Sequence, residues 1–295
     1  MRTSPECYDC LLRQAVSVIT STDLDQKTQI NIIKEVLRTL EKADDTRTPS
    51  LIASQTNRVI KEKTGIDDLY IDLKLESHLI AQEYLEDLRD LSKKGDDFLE
   101  QGLKISAAGN IFDIFASSEY DLWEEVKRTV NQELLGGGVE TFREQIGKAP
   151  YLLYLADNVG ETIFDRVFIE TLDIPVIYAV KSGPILNDAT LDDALAAGID
   201  QVAEIIETGS HAPGTILEQC SDEFKQLFED ANLVLAKGAA NYETLDDRGD
   251  KLFFLFRVKC PIISRDIKTP QGNQVLKQGV ISMTDDSLNF QQESI

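Results

Sequence analysis

Residues 151–181 read YLLYLADNVGETIFDRVFIETLDIPVIYAVK. YLLYLAD is an apolar run of strand length, GETIFDRVFIETL an amphipathic helix, and PVIYAVK a second apolar strand. A strand that is apolar throughout, rather than at alternate positions, belongs in a sheet covered on both faces, so this segment predicts a parallel strand–helix–strand unit. The pattern continues with LDDALAAG as helix, QVAEIIE as strand, CSDEFKQLFEDA as helix, then LVLAK and the apolar body of FFLFRVK as further strands. QGNQVLKQGVISM predicts a hairpin or edge strands. The expected fold class is therefore α/β: a doubly wound, mostly parallel sheet in a Rossmann-like three-layer arrangement.

Upstream the period changes. From Pro5, Leu11, Leu12, Ala15, Val18 and Ile19 recur at helical spacing. Ile30, Ile33, Val36, Leu37 and Leu40 predict the apolar stripe of a second helix after the Ser21-Thr22-Asp23 cap. A third helix is expected from Thr48-Pro49-Ser50 to Gly65. Leu75, Leu79, Ile80, Tyr84, Leu85 and Leu88 predict the buried face of a fourth. Without a strand signature, residues 1–95 are expected to be a helical subdomain, and residues 96–295 the α/β domain. Gly136 to Gly138 follow a helical pattern, not a strand, so they predict a break between helices rather than a phosphate loop.

Composition limits the function. The chain has 295 residues, about two domains at roughly 150 residues each. Its 52 acidic and 30 basic side chains leave a formal charge of −22, which repels nucleic-acid phosphates and anionic membranes. No apolar run reaches the ~20 residues of a membrane span, and a cytoplasmic location is expected. Four cysteines do not make a secreted disulfide framework. Cys7 and Cys10 form a C-x-x-C pair. A structural zinc site would need Cys220 and Cys260 as well, and two reduced thiols packed near the sheet are the simpler expectation.

In a doubly wound sheet, ligands bind beyond the carboxyl ends of the strands. Those positions hold Asp157 and Asn158; Lys181, with Asn187 and Asp188 nearby; His211; and Lys237-Gly238, with Asn241 and Glu243. Asp157, Asn158 and Asp188 are hard oxygen donors suited to a divalent ion. Lys181 and Lys237 suit an anion, and a helix opening at Gly160 points backbone N–H groups at the same place. Alone, an aspartate after a strand caps the next helix more often than it binds a ligand. Recurrence after four successive strands favours a site. Glu161 is either a base or a first-turn acid, and Asp165, one turn on, is at most a supporting residue. Asn110 and Asp113 share one helical face in AAGNIFD, while His78 and His211 are expected on a helix face and a surface loop.

DNVGETIFD, KSGPILNDAT, AKGAANYETL, AAGNIFD and the early C-x-x-C resemble the metal-dependent damage-control phosphatases, formerly domain of unknown function 89, in their cysteine-containing subfamily. The likeness runs from Cys7 to about Pro261. It implies a helical layer on an α/β sheet, a divalent metal (Mn, Co, Ni or Mg) on Asp157, Asn158 and Asp188, and a small phosphorylated substrate. Lys237 would meet the substrate phosphate, with Asn110 and Asp113 facing the same cleft. Asp157, Asp188, Lys237 and Glu161 form the expected catalytic set, with Asn110, Asp113, Lys181, Asn187, Gly238 and Asn241 at the substrate. DDLYIDLKLESH departs from the pattern, with Leu69 in place of a proline and His78 in place of an asparagine. Hydrolysis would proceed by attack of metal-activated water or of Asp157 itself. Two other readings remain: a non-catalytic metal- or partner-binding module, and an S-adenosylmethionine-dependent carboxyl methyltransferase. The second usually wants a glycine-rich loop where Asp157-Asn158 stands.

Overall fold

A computed structural model describes residues 1–113 and 122–280, with the side chains of Phe112 and Asp113 outside the description. Thirteen α-helices are present among these residues: α1 (Pro5–Thr20), α2 (Gln26–Glu41), α3 (Pro49–Thr64), α4 (Ile71–Glu83), α5 (Leu85–Ser92), α6 (Phe98–Ala108), α7 (Leu122–Val130), α8 (Val139–Ile146), α9 (Thr162–Ile169), α10 (Leu191–Ala196), α11 (Asp222–Asp230), α12 (Gly238–Leu245) and α13 (Pro261–Ile267). The strands are β1 (Leu152–Leu155), β2 (Val176–Val180), β3 (Glu204–Glu207), β4 (Val234–Lys237), β5 (Leu252–Arg257) and β6 (Gln274–Gln278).

The strands form one sheet in the order β3-β2-β1-β4-β5-β6. β1 to β5 are parallel; β6 closes the edge antiparallel to β5, as the edge-strand reading of its segment expects. The chain leaves β1 toward β2 and β3, then returns to lay β4 on the other side of β1. The reversal of strand order puts the switch point between β1 and β4, where a doubly wound sheet opens its crevice.

Side chains alternate across β1 as strand geometry requires. Leu152 and Tyr154 enter a core beneath α4 to α10, while Leu153 and Leu155 enter the opposite core with Phe224 and Phe228 of α11 and Ile263 of α13. Phe253, Phe254 and Phe256 of β5 are fully buried, as core aromatics rather than a stacking platform. The central triple glycine does more than break helices. Leu135 bridges to Val275 of β6, and a Cβ on Gly136 would lie 2.5 Å from the Leu276 carbonyl oxygen.

Helices α1 to α3 share a separate core of Leu11, Val18, Ile19, Val36, Ile52 and Ile60. Their ends follow local chemistry: Pro5 and Pro49 sit in first turns, Asp25 accepts from the backbone of Lys27 and Thr28, and Gly65 (φ 71°) ends α3 in the left-handed region. Two expected faces are rotated. In α2 the buried line is Ile32, Val36 and Leu40, with Ile30 and Leu37 exposed. In α4, Leu75 and Leu79 are 57% and 56% exposed, while Lys74, Ser77 and Ala81 face inward. Lys74 is buried because Asp68 and Asp193 hold its ammonium at 3.1 and 2.7 Å. Ala81, Leu85 and Leu88 of α4 and α5 then join the core of the sheet, not that of α1 to α3.

Glu243 of α12 ties the helical layer to the sheet, accepting from Ser50 Oγ of α3 at 2.7 Å. Burial holds its carboxyl above the ordinary carboxylate range. A carboxyl raised in the folded state stabilises the fold below its unfolded pKa, and that contribution is lost as pH rises through the folded value. Glu243→Gln should therefore gain thermal stability relative to the native chain as pH increases from 4 through the native carboxyl's transition, read from melting temperatures across that range. Parallel pH profiles for the two proteins would contradict the assignment.

Candidate active site at the β1–β4 switch point

Asp157 and Asn158 leave β1, Lys237 ends β4, and Asp188 arrives from the loop after β2 through an antiparallel bridge with Asn158. The backbone fixes the loop closely: Ala189 N donates to Asp157 O at 2.8 Å, and Val159 N to Asn187 O at 2.9 Å. All three expected metal-ligand side chains are buried at this edge.

Asn158 Nδ2 donates to Asp157 Oδ2 at 3.0 Å and to Glu161 Oε1 at 2.8 Å. With its amide nitrogen committed, its carbonyl oxygen is the atom left for a ligand. Asp157 lies against the first turn of α12. Gly238 there has φ 79°, and an added Cβ would stand 1.8 Å from Asp157 Oδ2. Only glycine fits both the left-handed backbone and the space, and the positive end of α12 favours the Asp157 carboxylate.

Behind these groups lies Lys237, whose ammonium is 0% exposed. It donates to Asp165 Oδ1 at 2.5 Å and to the Ser106 carbonyl oxygen at 3.0 Å, and its charge lies 2.8 Å from Glu161 Oε2. Burial alone would lower its pKa, but the charges of Asp165 and Glu161 outweigh burial and hold it above the usual lysine value. Lys237 is a fixed cation, not a base. Asp165 is the hub of this layer, accepting also from Ser106 Oγ at 2.8 Å, Tyr154 OH at 2.7 Å and Tyr178 OH at 2.9 Å. Burial, then the Asp165 charge, pushes both phenols well above their ordinary pKa, so they remain donors.

Other expected residues fall into place around this centre. Asn110 donates to Glu161 Oε1 and accepts from Arg257 N at 3.4 Å, joining the turn after α6 to β5. Asn241 donates to Lys237 O at 2.8 Å and Ala156 O at 3.3 Å and accepts from Thr215, bracing the ends of β1 and β4. Lys181 is buried, donates to Gly214 O, and lies 3.6 Å from Asp188 Oδ2. The Asn187 carbonyl anchors Val159, as above. The Asp113 side chain lies outside the described residues. Asn110, Glu161, Lys237 and Asn241 are buried in polar contacts of their own, a supporting layer that spacing could not separate from a contact layer.

Elsewhere, Glu243 faces α3. His211 is exposed, and His78 on α4 buries its Nδ1 without a hydrogen-bond partner among the described residues. All four cysteines are free. Cys7 is buried, Cys10 on the same helix is exposed, and Cys220 packs apart with Phe224 and Phe228 in the sheet's core, so the four-cysteine zinc arrangement is not assembled. The exposed Cys10 also differs from the expectation of two thiols packed near the sheet.

A divalent cation fits this donor set. At this end of the sheet the buried carboxylates Asp157, Glu161, Asp165 and Asp188 face the ammonium groups of Lys181 and Lys237. Four negative charges against two positive leave an excess of two, the charge of one such ion. Among the described residues no three His, Cys, Asp or Glu side chains are gathered for a metal; the set here is two carboxylates and an amide oxygen.

A doubly wound sheet with hard oxygen groups at its switch point, backed by a buried lysine–carboxylate layer, defines an α/β protein with an acidic crevice. The damage-control phosphatase ARMT1-like domain matches residues 3–275, and the chain belongs to that family. It is a phosphatase. It is similar to the damage-control phosphatase PH1575 of Pyrococcus horikoshii (32% identity over 92% of this chain and 96% of that one) and to a damage-control phosphatase of Archaeoglobus fulgidus (30% over 94% and 99%). An uncharacterised protein of Methanocaldococcus jannaschii, MJ0202, is 34% identical over 94% of this chain and 95% of its own length. The crystal structure of the Pyrococcus horikoshii DUF89 protein superposes with a TM-score of 0.87 at 30% identity, covering 95% of this chain and 99% of that one.

Gly238→Ala should displace the Asp157 carboxylate without touching the core. Phosphatase turnover is expected to fall about 100-fold, as for a misplacement of ~1 Å, with an unchanged circular dichroism spectrum. Asp165→Asn leaves the buried Lys237 with one carboxylate and is expected to cost about 3 kcal/mol in urea denaturation. A cost under about 1 kcal/mol would mean the pair is not held as described.

Proposed function

We propose that this chain is a divalent-metal-dependent phosphomonoesterase acting on small phosphorylated metabolites, sugar phosphates or damaged phosphometabolites, with Mn, Co, Ni or Mg as the ion. The observation that carries the metal dependence is the excess of two buried negative charges beside an amide oxygen free to bind. Asp157, Asn158 and Asp188 would hold the ion. When bound, it supplies Lewis-acid polarisation of a phosphoryl oxygen and lowers the pKa of an attacking water.

The chain's own residues do the rest. Asn158 orients Asp157 through its 3.0 Å hydrogen bond, and Lys237 holds Glu161 and Asp165 in place from the interior. Glu161, fully buried and bonded to Asn110, Asn158 and Lys237, acts by positioning Asn158 rather than by taking a proton from water. The α12 N-terminus, beside Asp157, adds positive potential where phosphoryl oxygens gather charge during in-line displacement. Lys181, 3.6 Å from Asp188, is the second cation at this edge, placed to steady Asp188.

With p-nitrophenyl phosphate and Mn²⁺ or Co²⁺, the native chain should turn over, and Asp157→Ala and Asp188→Ala should each lose about 1000-fold or more in kcat. Turnover insensitive to chelation, or retained in both variants, would overturn the metal assignment.

A further inference from the structure

The loop that presents Asp188 has a second face. Between α3 and the loops after β2 and β3 runs a cleft of about 560 Å³, bounded by Leu51, Asn57 and Arg58 on one side and by Pro184, Ile185 and His211 on the other. That volume suits a small molecule. Asp157, Asn158 and Asp188 do not line it, but the cleft and the acidic centre share a wall. Asp188 N donates to Ile185 O at 3.1 Å, closing a four-residue turn whose ends lie within ~7 Å of each other. Leu186, inside that turn, has φ 48°. A left-handed leucine costs of order 1 kcal/mol and persists where surrounding structure demands it.

Polar chemistry in the cleft is incomplete. Asn57 is 4% exposed, lines the cleft, and its carboxamide has no hydrogen-bond partner among the described residues. Its amide atoms reach solvent through the cleft, where a ligand with matching donors and acceptors can take the place of water. Arg58 beside it has Glu62 as its nearest acid at 3.8 Å, beyond hydrogen-bond reach, so its guanidinium fork is open. Lys61 of the same helix is already engaged, donating to Pro184 O at 3.1 Å and pairing with Asp67 at 3.2 Å, which clamps the loop to α3. Arg58 and Lys61 are balanced in number by Glu62 and Asp67, so on a chain of charge −22 this rim is neutral rather than acidic.

We infer that this cleft is a subsite for the end of the substrate remote from its phosphoryl group, and that this end carries an oxyanion, a carboxylate or second phosphate, read by Arg58 and Asn57. The planar fork of Arg58 matches an oxyanion in two-point fashion, the Asn57 amide supplies a donor and an acceptor at the floor, and Leu51 and Ile185 flank the carbon chain. The inference rests on the phosphatase reading above, and names the class of phosphomonoester that it would prefer.

The test compares Arg58→Met and Arg58→Lys with the native full chain on two esters: p-nitrophenyl phosphate, which has no second anion, and 3-phosphoglycerate, which has a carboxylate. Arg58 lies at the exposed rim, so neither variant threatens the fold. Arg58→Met should raise KM for 3-phosphoglycerate about tenfold and leave kcat/KM for p-nitrophenyl phosphate within about twofold, with Arg58→Lys between native and Met because it keeps the charge and loses the fork. Calorimetric titration of 3-phosphoglycerate into the chain without added metal should show the same order of affinities. Equal effects on both esters, no effect on either, or binding indifferent to Arg58 would overturn the subsite. If no ester is hydrolysed but binding still follows Arg58, the phosphatase reading fails and the oxyanion site stands.

Discussion

The buried ammonium of Lys237 is the contact on which the rest of the centre depends. It pairs with Asp165 and Glu161, both on the segment after β1, and donates to the Ser106 carbonyl at the end of α6. One side chain from β4 thus joins the adjacent strand and a covering helix at the point where the sheet reverses its order. Such an ion-paired group is expensive to bury and more expensive to break, because removing one partner strands the other charge away from water. Tyr154, Tyr178 and Ser106 all donate to Asp165, which makes it the hub of the layer. The outer groups are built on it: Glu161 holds Asn158, Asn158 holds Asp157, and the bridge from Asn158 brings Asp188 alongside.

This arrangement separates two tasks that look alike in sequence. The inner carboxylates, Glu161 and Asp165, share the ammonium of Lys237. The outer ones, Asp157 and Asp188, lie at the edge with Lys181, next to a helix N-terminus and a close-fitting glycine. The excess of two negative charges thus belongs to the centre as a whole. The family relationship establishes the phosphatase class, and that excess gives it a physical basis in this chain's own residues.

Much of this was legible beforehand, for physical reasons. Strands apolar along their whole length can only be central and parallel, and the reversal between β1 and β4 then locates the crevice without any motif. Asp157, Asn158 and Asp188 were readable as oxygen donors at strand ends, and they do come to one edge. What spacing could not show was depth. Lys237 and Asn241 follow the strands as a contact residue would, yet their polar atoms are consumed by Asp165, Glu161 and backbone carbonyls contributed by distant parts of the chain. Asp165 reads as an ordinary helix acid because four of its partners, Ser106, Tyr154, Tyr178 and Lys237, lie elsewhere in sequence. On α4 the apolar period misled outright. Leu75 and Leu79 face out because Lys74 is drawn inward by Asp68 and Asp193, and an ion pair between elements overrode hydrophobic pattern.

The most direct test of the central claim is anomalous X-ray diffraction at the manganese edge from crystals of this protein grown with Mn²⁺. The account predicts one strong peak at the β1–β4 switch point, bonded to a carboxylate oxygen of Asp157, the carbonyl oxygen of Asn158 and a carboxylate oxygen of Asp188, with Lys237 still in the interior. A peak held by other residues, or none at this edge, would contradict it.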